Sequence, residues 1–298
     1  MKNILVTGGA GFVGTNLIKK LVNQGHRVLS IDNYSTGTRE NEIDGCKYWD
    51  FDLSDDTPFD EILLTMQIKK IDCIYHLAAL ARIQPSLVHP DRTIKNNFIS
   101  TLNILEYARL NNVQVIYSGS SSYHHGLYGS PYSWSKWTGE ELCKLYSRVY
   151  DINTSICRFY NVYGPHQILT GDYAAVVGIF QHQFLNNQLL TITGNGEQRR
   201  DFTHVSDITD ALILLMTKNN RADIFELGRG KNHSINELAD MFGLEKTYLP
   251  PRKGEYDKTL CDYTVAHERL GWQPSLDLND YINEWLQTNN INKENNHG

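Results

Sequence analysis

The sequence predicts an α/β fold, in which a doubly wound parallel sheet is followed by a smaller C-terminal α+β region. Strand-like and helix-like segments alternate up to about residue 160, as in parallel sheets with crossover helices. Beyond that point, turns such as Gly164-Pro165 and Gly228-Arg229-Gly230 divide the chain into shorter elements. We therefore expect one domain over 1–160, to which one strand or helix of the later chain can return, a second region over 161–288 and a polar tail over 289–298.

Local patterns place the individual elements. The strands are predicted in short apolar segments: 3–7, 27–31, 46–50, 72–76, 114–118 and 154–159. The helices of the first domain are predicted at 12–24, 57–67, 92–111 and 133–150, and shorter helices at 176–187, 206–217, 234–242 and 278–287. Ser234 and Glu237 form the S-x-x-E pattern of a capping box, which marks the start of the third short helix.

The composition excludes several classes of protein. The 298 residues include 41% hydrophobic and 21% charged residues, as in ordinary globular proteins. The net charge of −6 argues against binding to nucleic acid or to an anionic membrane surface. The sequence has no apolar run of transmembrane length, and its first residues do not resemble a signal peptide, so we expect a cytoplasmic protein.

Cysteine and histidine usage predicts reduced thiols and no metal site. The five cysteines are widely scattered and form no C-x-x-C pair, which is typical of a reducing compartment. The eleven histidines show no metal-ligand spacing.

Residues 3–32 have the layout of a Rossmann-type dinucleotide-binding unit: strand, glycine turn, helix, strand and acid. Gly8 permits the turn, Gly11 allows close approach of a diphosphate, and Gly14 allows the helix to pack on the strand. The alternative is an ordinary glycine-rich loop, since the spacing differs from the commoner G-x-G-x-x-G. Asp32 is placed to bind the adenosine ribose and to repel a 2′-phosphate, which favours NAD over NADP, although Arg39 nearby is basic.

A second pattern predicts acid–base chemistry. Tyr132 and Lys136 are four residues apart in a predicted helix and share one face. An ammonium group near a phenol lowers the phenol pKa, so the pair is suited to remove a proton from a hydroxyl group. Ser118 to Ser122 end the preceding strand, where a serine can bind that hydroxyl group. The alternatives are a surface helix pair and a serine-rich turn, and spacing does not decide which serine faces the ligand.

The chain resembles the extended short-chain dehydrogenase/reductase family, in particular its NAD-dependent nucleotide-sugar epimerase/dehydratase branch, over residues 3 to 285. The matching segments are Thr7 to Gly14, Asp32 to Gly37, Asp52-Leu53, His76 to Ala79, Asn97 with Thr101, Ser118 to Ser122, Tyr132 to Lys136, Arg158 to Pro165, Gly196 to Phe202, Arg252 to Glu255 and Leu270 to Pro274.

The resemblance implies a role for each matching residue. The implied catalytic residues are Ser120, Tyr132 and Lys136. The implied NAD contacts are Gly8, Gly11, Phe12, Val13, Gly14, Asp32, Asn33, Ser35, Thr36, Asp52, Leu53, Leu77, Ala78, Ala79 and Asn97, with Tyr132 and Lys136. The implied contacts to a UDP-sugar substrate, mostly in region 161–288, are Ser121, Asn161, Ala175, Val176, Arg200, Arg252, Glu255 and Thr259. The resemblance also implies a homodimer formed through the helices at 92–111 and 133–150.

Two departures from the family pattern concern the catalytic segment and the cofactor side. The stretch from Ser120 to Tyr132 is about half the usual length, so the loop over the sugar is short. Ser100 stands where the family usually has glycine.

The resemblance favours 4-epimerisation through a 4-keto intermediate. The 4,6-dehydratases carry an Asp-Glu pair where this chain has Ser121 and Ser122. The alternatives are a UDP-glucuronate 4-epimerase, a decarboxylase or a reductase or dehydratase of the same family, and a non-catalytic NAD-binding regulatory protein.

Three features concern the sugar. Residues 171–177 resemble the corresponding segment of epimerases that act on UDP-N-acetylhexosamines. Thr259 is small where hexose epimerases often carry tyrosine, which leaves room for an N-acetyl group. No added arginine for a uronic carboxylate stands out in the sequence. UDP-N-acetylglucosamine and UDP-glucose are therefore the expected substrates.

Overall fold

The computed structural model describes residues 1–55 and 70–295, with side chains to residue 289, so the predicted helix at 57–67 lies outside the described residues. The strands of this part are β1 Asn3–Thr7, β2 Arg27–Asp32, β3 Cys46–Asp50, β4 Cys73–His76, β5 Gln114–Ser120, β6 Thr154–Phe159, β7 Val162–Tyr163, β8 Leu190–Thr193, β9 Arg199–Asp201, β10 Thr203–His204, β11 Arg221–Leu227, β12 Asn232–Ser234 and β13 Lys246–Leu249. The helices are α1 Phe12–Asn23, α2 Ile83–Val88, α3 Pro90–Asn111, α4 Pro131–Tyr150, α5 Val176–Leu185, α6 Val205–Leu215, α7 Ile235–Phe242, α8 Thr264–Leu270 and α9 Leu278–Asn295.

A parallel sheet of order β11-β6-β5-β4-β1-β2-β3 forms the centre of the described chain. The strand order reverses between β1 and β4, so loops from the two halves of the sheet diverge at their carboxyl ends. Such a switch point leaves a crevice in which doubly wound proteins bind ligands. The predicted doubly wound α/β fold is therefore confirmed.

Alternating side chains of the sheet bury two separate cores. Ile4 and Val6 face α1 and α6, in a cluster that includes Leu17 and Leu212. Leu5, between them in sequence, faces the opposite side, where α3 and α4 pack. This period of two is the expected geometry of a strand buried on both faces. A third core lies among α5, α7 and α9 of the later chain.

Helix boundaries depend on caps that the periodicity of the sequence does not reveal. The helix predicted at 133–150 begins at Pro131, because Ser130 caps it by accepting a hydrogen bond from the Ser133 N–H at 3.1 Å. The capping box of Ser234 and Glu237 is present, as predicted.

The later chain contains short strands, and the helix α8, that were not predicted. Strand β11, whose position was also not predicted, is a strand of the later chain that returns to the central sheet and forms its edge beside β6, with Ile224 opposite Ile156. Its polar residues Arg221, Asp223 and Glu226 hide the apolar pattern, which an edge strand tolerates. Helix α9 continues beyond the predicted 278–287 to Asn295. No helix in the described ranges is both long and apolar enough to span a membrane.

Candidate active site

A cavity of about 780 Å³ opens at the switch point between β1 and β4 and extends to the N-terminus of α5. It is lined by all the site residues predicted from the sequence except Asn97. Those residues are Gly8, Gly11, Phe12, Val13, Gly14, Asp32, Asn33, Ser35, Thr36, Asp52, Leu53, Leu77, Ala78, Ala79, Ser120, Ser121, Tyr132, Lys136, Asn161, Ala175, Val176, Arg200, Arg252, Glu255 and Thr259.

The glycine turn gives one end of the cavity an anion-binding geometry. Gly8 has a φ of +71°, and a Cβ atom there would lie 2.8 Å from the Ala78 nitrogen. A Cβ atom on Gly14 would lie 2.2 Å from the Gly8 carbonyl oxygen. Gly11 is the N-cap of α1 and supplies no side-chain acceptor. The first N–H groups of the helix can therefore donate to a ligand. The turn therefore fits a dinucleotide diphosphate.

Asp32 is held at the end of β2 by backbone donors. Its two carboxylate oxygens accept hydrogen bonds from the N–H groups of Ala10 at 2.9 Å and Tyr34 at 2.8 Å. Burial raises the pKa of Asp32, and these hydrogen bonds oppose that rise. Arg39 is paired with Asp50 at 2.7 Å and lies over the Tyr34 ring. Because the charge of Arg39 is already paired with Asp50, Arg39 is poorly placed to favour a 2′-phosphate. The Asp32 carboxylate at the end of β2 therefore fits NAD.

The structure brings Ser120 and Tyr132 together at the other end of the glycine-lined crevice. The Tyr132 hydroxyl donates to Ser120 Oγ at 3.2 Å. Ser120 Oγ also accepts from the Ser122 N–H at 3.2 Å, which fixes its direction. Among the described serines from 118 to 122, Ser120 is thus the one that is hydrogen-bonded to Tyr132.

Lys136 lies in the same helix as Tyr132 but contacts a different group. Its Nζ atom donates to Ser118 Oγ at 3.3 Å and lies 4.5 Å from the centre of the Tyr117 ring. Burial lowers the pKa of Lys136 to about 8. The expected lowering of the Tyr132 pKa by Lys136 is wrong for this geometry: burial raises the pKa of Tyr132, and Ser120 and Arg82 are the groups that oppose the rise.

A buried ionic network supports the short segment between Ser120 and Tyr132. Glu140 binds Arg158 through two nitrogens, at 3.0 and 2.7 Å. Arg158 also binds Glu226 at 2.9 Å, and Glu226 accepts from His124 Nε2 at 2.8 Å. The Arg158 guanidinium group lies 3.5 Å from the centre of the Tyr123 ring. The short loop is therefore anchored to β6 and β11.

Thr259 and Asn161 lie on the substrate side, where their polar groups bind one another. Thr259 Oγ1 accepts from the Asp201 N–H at 2.9 Å and from Asn161 Nδ2 at 3.1 Å. Asn161 Nδ2 also donates to the Asp201 carbonyl oxygen at 2.8 Å. Thr259 is 3% exposed, so it closes the cavity wall and also joins β9 to the chain after β13.

Arg200 and Arg252 reach the same part of the cavity from separate segments. Arg200 Nη2 donates to Glu255 Oε2 at 3.2 Å, whereas Arg252 is exposed. Burial lowers the pKa of Arg200, and Glu255 opposes this. The two guanidinium groups give this end of the cavity a positive charge that Glu255 balances only in part.

The comparison with known proteins identifies the family. The model of the NAD dependent epimerase/dehydratase family matches residues 4–228. The chain belongs to this family. A relative described as a putative UDP-glucose 4-epimerase from Methanocaldococcus jannaschii is 35% identical, with 96% of this chain and 99% of the relative aligned. The relatives also include UDP-glucuronic acid decarboxylases, such as decarboxylase 1 of Arabidopsis thaliana, which is 31% identical over 93% of this chain and 67% of its own.

Solved structures of epimerases have the same fold. The UDP-glucose 4-epimerase of Thermotoga maritima with UDP-glucose has a TM-score of 0.88 and 32% identity, covering 94% of this chain and 96% of its own. The UDP-N-acetylglucosamine 4-epimerase of Methanobrevibacter ruminantium with UDP-N-acetylmuramic acid has a TM-score of 0.86 and 30% identity, with the same coverage. The chain is thus an NAD-dependent member of an epimerase family.

Asn97 was predicted to contact the cofactor, but it does not line the cavity. Its side chain is buried, accepts from the Leu80 N–H at 2.8 Å and donates to Ser135 Oγ at 2.9 Å. Asn97 therefore fixes the loop after β4 against α4. A family motif does not distinguish a residue that contacts the ligand from a residue that holds the ligand-binding loop in place.

Arg82 and Tyr256 line the cavity of this family member and were missed in the sequence. Tyr256 stacks on His125 at 4.2 Å and shares a hydrogen bond with Ser133 Oγ at 3.1 Å. Arg82 follows the carboxyl end of β4 by six residues. That position at the switch point is the signal that would have revealed it.

Proposed function

We propose that the protein is a UDP-sugar 4-epimerase that works through a 4-keto intermediate with bound NAD. The observation that carries this proposal is the Tyr132–Ser120 hydroxyl pair, 3.2 Å apart, in the same cavity as the glycine turn. A base next to a dinucleotide site is the arrangement that oxidation of a hydroxyl group requires. The epimerase relatives support the same reaction class.

Each catalytic residue has a task that follows from its contacts. Tyr132 takes the proton of the C4 hydroxyl group, and Ser120 holds that hydroxyl group beside the phenol. NAD held by the glycine turn and Asp32 would supply a reversible hydride acceptor for C4, and turning of the 4-keto sugar would expose its other face to the same hydride. Lys136 lines the cavity and donates to Ser118 Oγ, from which position its amino group would bind the ribose hydroxyl groups of the nicotinamide half of NAD.

The far end of the cavity suits the diphosphate of the nucleotide. Helix α5 starts at Val176 after Ala175, which offers no side-chain cap. The first N–H groups of the helix can therefore donate to an anion. Arg200 and Arg252 add guanidinium groups that match phosphate oxygens. We assign Glu255, which accepts from Arg200, to the uridine ribose.

Epimerisation is preferred over dehydration because Ser121 and Ser122 replace the acidic pair that elimination of water requires. Decarboxylation remains the main alternative, since decarboxylases occur among the relatives. UDP-glucose and UDP-N-acetylglucosamine are the neutral substrates of the test, and UDP-glucuronate is the charged substrate with which they are compared. Residues 171–177 and the small Thr259 favour room for an N-acetyl group.

The test is product analysis by NMR after incubation of the NAD-loaded protein with UDP-glucose, UDP-N-acetylglucosamine and UDP-glucuronate. We expect the C4 epimer without net NADH. Tyr132→Phe should remove the product, and Tyr150→Phe, an exposed change in the same helix, should not. Release of carbon dioxide, net NADH, or equal activity of both variants would overturn the proposal.

We also propose a cytoplasmic homodimer. Helices α3 and α4 expose large apolar side chains, among them Leu110, Leu145 and Val149. Their mutual packing in one subunit leaves these side chains for a second copy. Light scattering should give twice the mass of the chain, and Leu145→Lys with Val149→Lys should halve it; a monomeric parent would refute the dimer.

A further inference from the structure

Arg82 places a guanidinium group in the wall of the cavity near the proposed base. Its Nε atom donates to the Tyr173 carbonyl oxygen at 2.8 Å, and Nη1 donates to the Ala81 carbonyl oxygen at 2.9 Å. These bonds join the loop after β4 to the loop before α5 and fix the plane of the guanidinium group. An arginine has five N–H donors, and these two bonds use two of them, which leaves three that they do not use.

The charge of Arg82 has no acidic partner among the described residues. The groups that act electrostatically on it are the phenols of Tyr132 and Tyr173, and neither is an anion near neutral pH. A partly buried cation without a counter-ion is costly, because burial removes water and the two carbonyl hydrogen bonds replace only part of it. Such a residue is suited to a ligand that brings the missing negative charge.

Arg200 and Arg252 are two further guanidinium groups in the cavity wall, and they are available for the diphosphate of the substrate. The groups that act on Arg200 are Glu255, Tyr256 and Asp257, not Tyr132. Arg82 instead interacts with Tyr132, where the sugar ring must lie if Tyr132 is the base. Arg82 is thus the guanidinium group that acts on Tyr132. The nearby Gln84 donates to the Lys253 carbonyl oxygen at 2.8 Å, so binding of UDP alone is the control that separates the sugar from the diphosphate.

We infer that Arg82 is a specificity-determining residue that binds a carboxylate group on the sugar ring, so that the cavity prefers UDP-uronates to UDP-hexoses. This inference rests on the proposed function, because that function places the sugar beside Tyr132. Two parallel N–H donors match a carboxylate in bidentate geometry. A neutral hydroxymethyl group in the same place would leave the guanidinium group without its counter-charge, which is the basis of strong discrimination.

The preference concerns a different part of the sugar from the N-acetyl group. Room near Thr259 and charge near Arg82 are independent features, so each can be tested while the other is held constant. Four substrates provide this design: UDP-glucose, UDP-glucuronate, UDP-N-acetylglucosamine and UDP-N-acetylglucosaminuronate. The effect of the carboxylate is then measured once with and once without the N-acetyl group.

The first experiment measures binding of these four compounds and of UDP alone to the NAD-loaded parent protein by calorimetry. We expect each uronate to bind at least about tenfold more tightly than its neutral partner. Equal or weaker binding of both uronates would overturn the inference. This comparison needs no variant, so it does not depend on whether a substituted protein folds.

The second experiment compares kcat/KM of the parent, Arg82→Gln, Arg82→Lys and Arg92→Gln. Arg92 also acts on Tyr173 but is exposed and does not line the cavity, so it is the matched control. For uronates we expect a loss of about a hundredfold in Arg82→Gln, the usual effect of removing one partner of a desolvated charge pair, and a smaller loss in Arg82→Lys. In Arg82→Gln, the ratio of kcat/KM for each uronate to that for its neutral partner should fall at least about thirtyfold, whatever loss the two sugars share through Tyr132. Arg92→Gln should resemble the parent.

Three results would contradict this role. Equal loss for all four sugars would mean that Arg82 acts through Tyr132 or ties the two loops together. Weaker binding of UDP alone in Arg82→Gln would place the guanidinium group on the diphosphate. If Arg92→Gln also lost uronate binding, the effect would come from the loss of any nearby positive charge and not from a contact of Arg82. If the parent binds uronates preferentially through Arg82 but forms no C4 epimer, the inference stands and the proposed reaction fails.

Discussion

Replacement of Lys136 by methionine should change the pH dependence of stability in a predictable direction. Lys136 is 4% exposed, and burial lowers its pKa from 10.5 to about 8, while Glu140 and Cys143 oppose the lowering. Methionine has similar length and no charge, so Lys136→Met removes the titration but fills much of the same space.

The sign follows from proton binding in the two states. Above pH 8 the folded protein holds Lys136 neutral, whereas the unfolded chain keeps the lysine protonated until about pH 10.5. The unfolded state therefore binds more protons, and the free energy of unfolding of the parent rises with pH in this window. Relative to Lys136→Met, the parent should gain roughly 1 kcal/mol between pH 7 and pH 9. The full gain, above pH 10.5, is roughly 3 kcal/mol.

The assay is urea unfolding of the NAD-stripped parent and Lys136→Met at pH 7, 8 and 9. The difference between the two unfolding free energies cancels the other titrating groups, many of which are tyrosines and cysteines with raised pKa values. Lys144→Met, a change of a surface lysine on the same helix, corrects for the loss of charge alone.

A difference that stays constant from pH 7 to pH 9 would refute this reasoning, because Lys136 would then keep its proton in the folded state. We expect Lys136→Met to lose turnover at every pH even where it is the more stable protein. A buried ammonium group that destabilises the fold at pH 7 is explained by its place in the cavity wall, where it is available to bound cofactor.

Three further substitutions test individual parts of the site. Tyr132→Phe should lower turnover at least about a hundredfold while NAD stays bound, because one general base is lost; steady-state kinetics and cofactor absorbance measure both. Asp32→Ala should weaken NAD binding and narrow the preference for NAD over NADP, measured by calorimetry on stripped protein. Thr259→Tyr should lower the free energy of unfolding by about 2–4 kcal/mol, measured in urea, because Thr259 is buried and its hydroxyl binds Asp201 and Asn161.

Each of these substitutions has an outcome that would contradict its reasoning. Activity of Tyr132→Phe within about threefold of the parent would exclude Tyr132 as the base. Unchanged NAD affinity in Asp32→Ala would show that Asp32 only holds the backbone of Ala10 and Tyr34. An unchanged urea midpoint in Thr259→Tyr would show that the wall can accept a large side chain there, and selectivity between UDP-glucose and UDP-N-acetylglucosamine could then be measured directly in this variant.

The sequence predicted the parts of the site that depend on local structure. Strand β1, the glycine turn and α1 are consecutive in the chain, so their geometry follows from the spacing of Gly8, Gly11 and Gly14. The approach of the serine segment to Tyr132 also follows from local rules, since the segment ends a strand and Tyr132 begins the next helix. Spacing did not decide which serine binds Tyr132, and only the family resemblance indicated Ser120.

Long side chains and late segments were harder to predict. Four-residue spacing places Tyr132 and Lys136 on one helical face, but it does not determine where a flexible ammonium group binds, and Ser118 on the neighbouring strand takes it. Arg82 reaches the cavity because a carbonyl group 91 residues later in the chain holds its Nε atom. Strand β11 joins the sheet through pairing with β6, a contact that its own polar sequence does not reveal.

The central claim is that C4 hydride leaves the sugar and returns within the same protein molecule. The most direct measurement uses a UDP-sugar carrying deuterium at C4, incubated with the NAD-loaded protein and followed by NMR. The account predicts a C4 epimer that keeps its deuterium at C4, with no NADH released. Loss of the deuterium to water, or a product that has lost its C6 carboxylate instead of inverting C4, would contradict it.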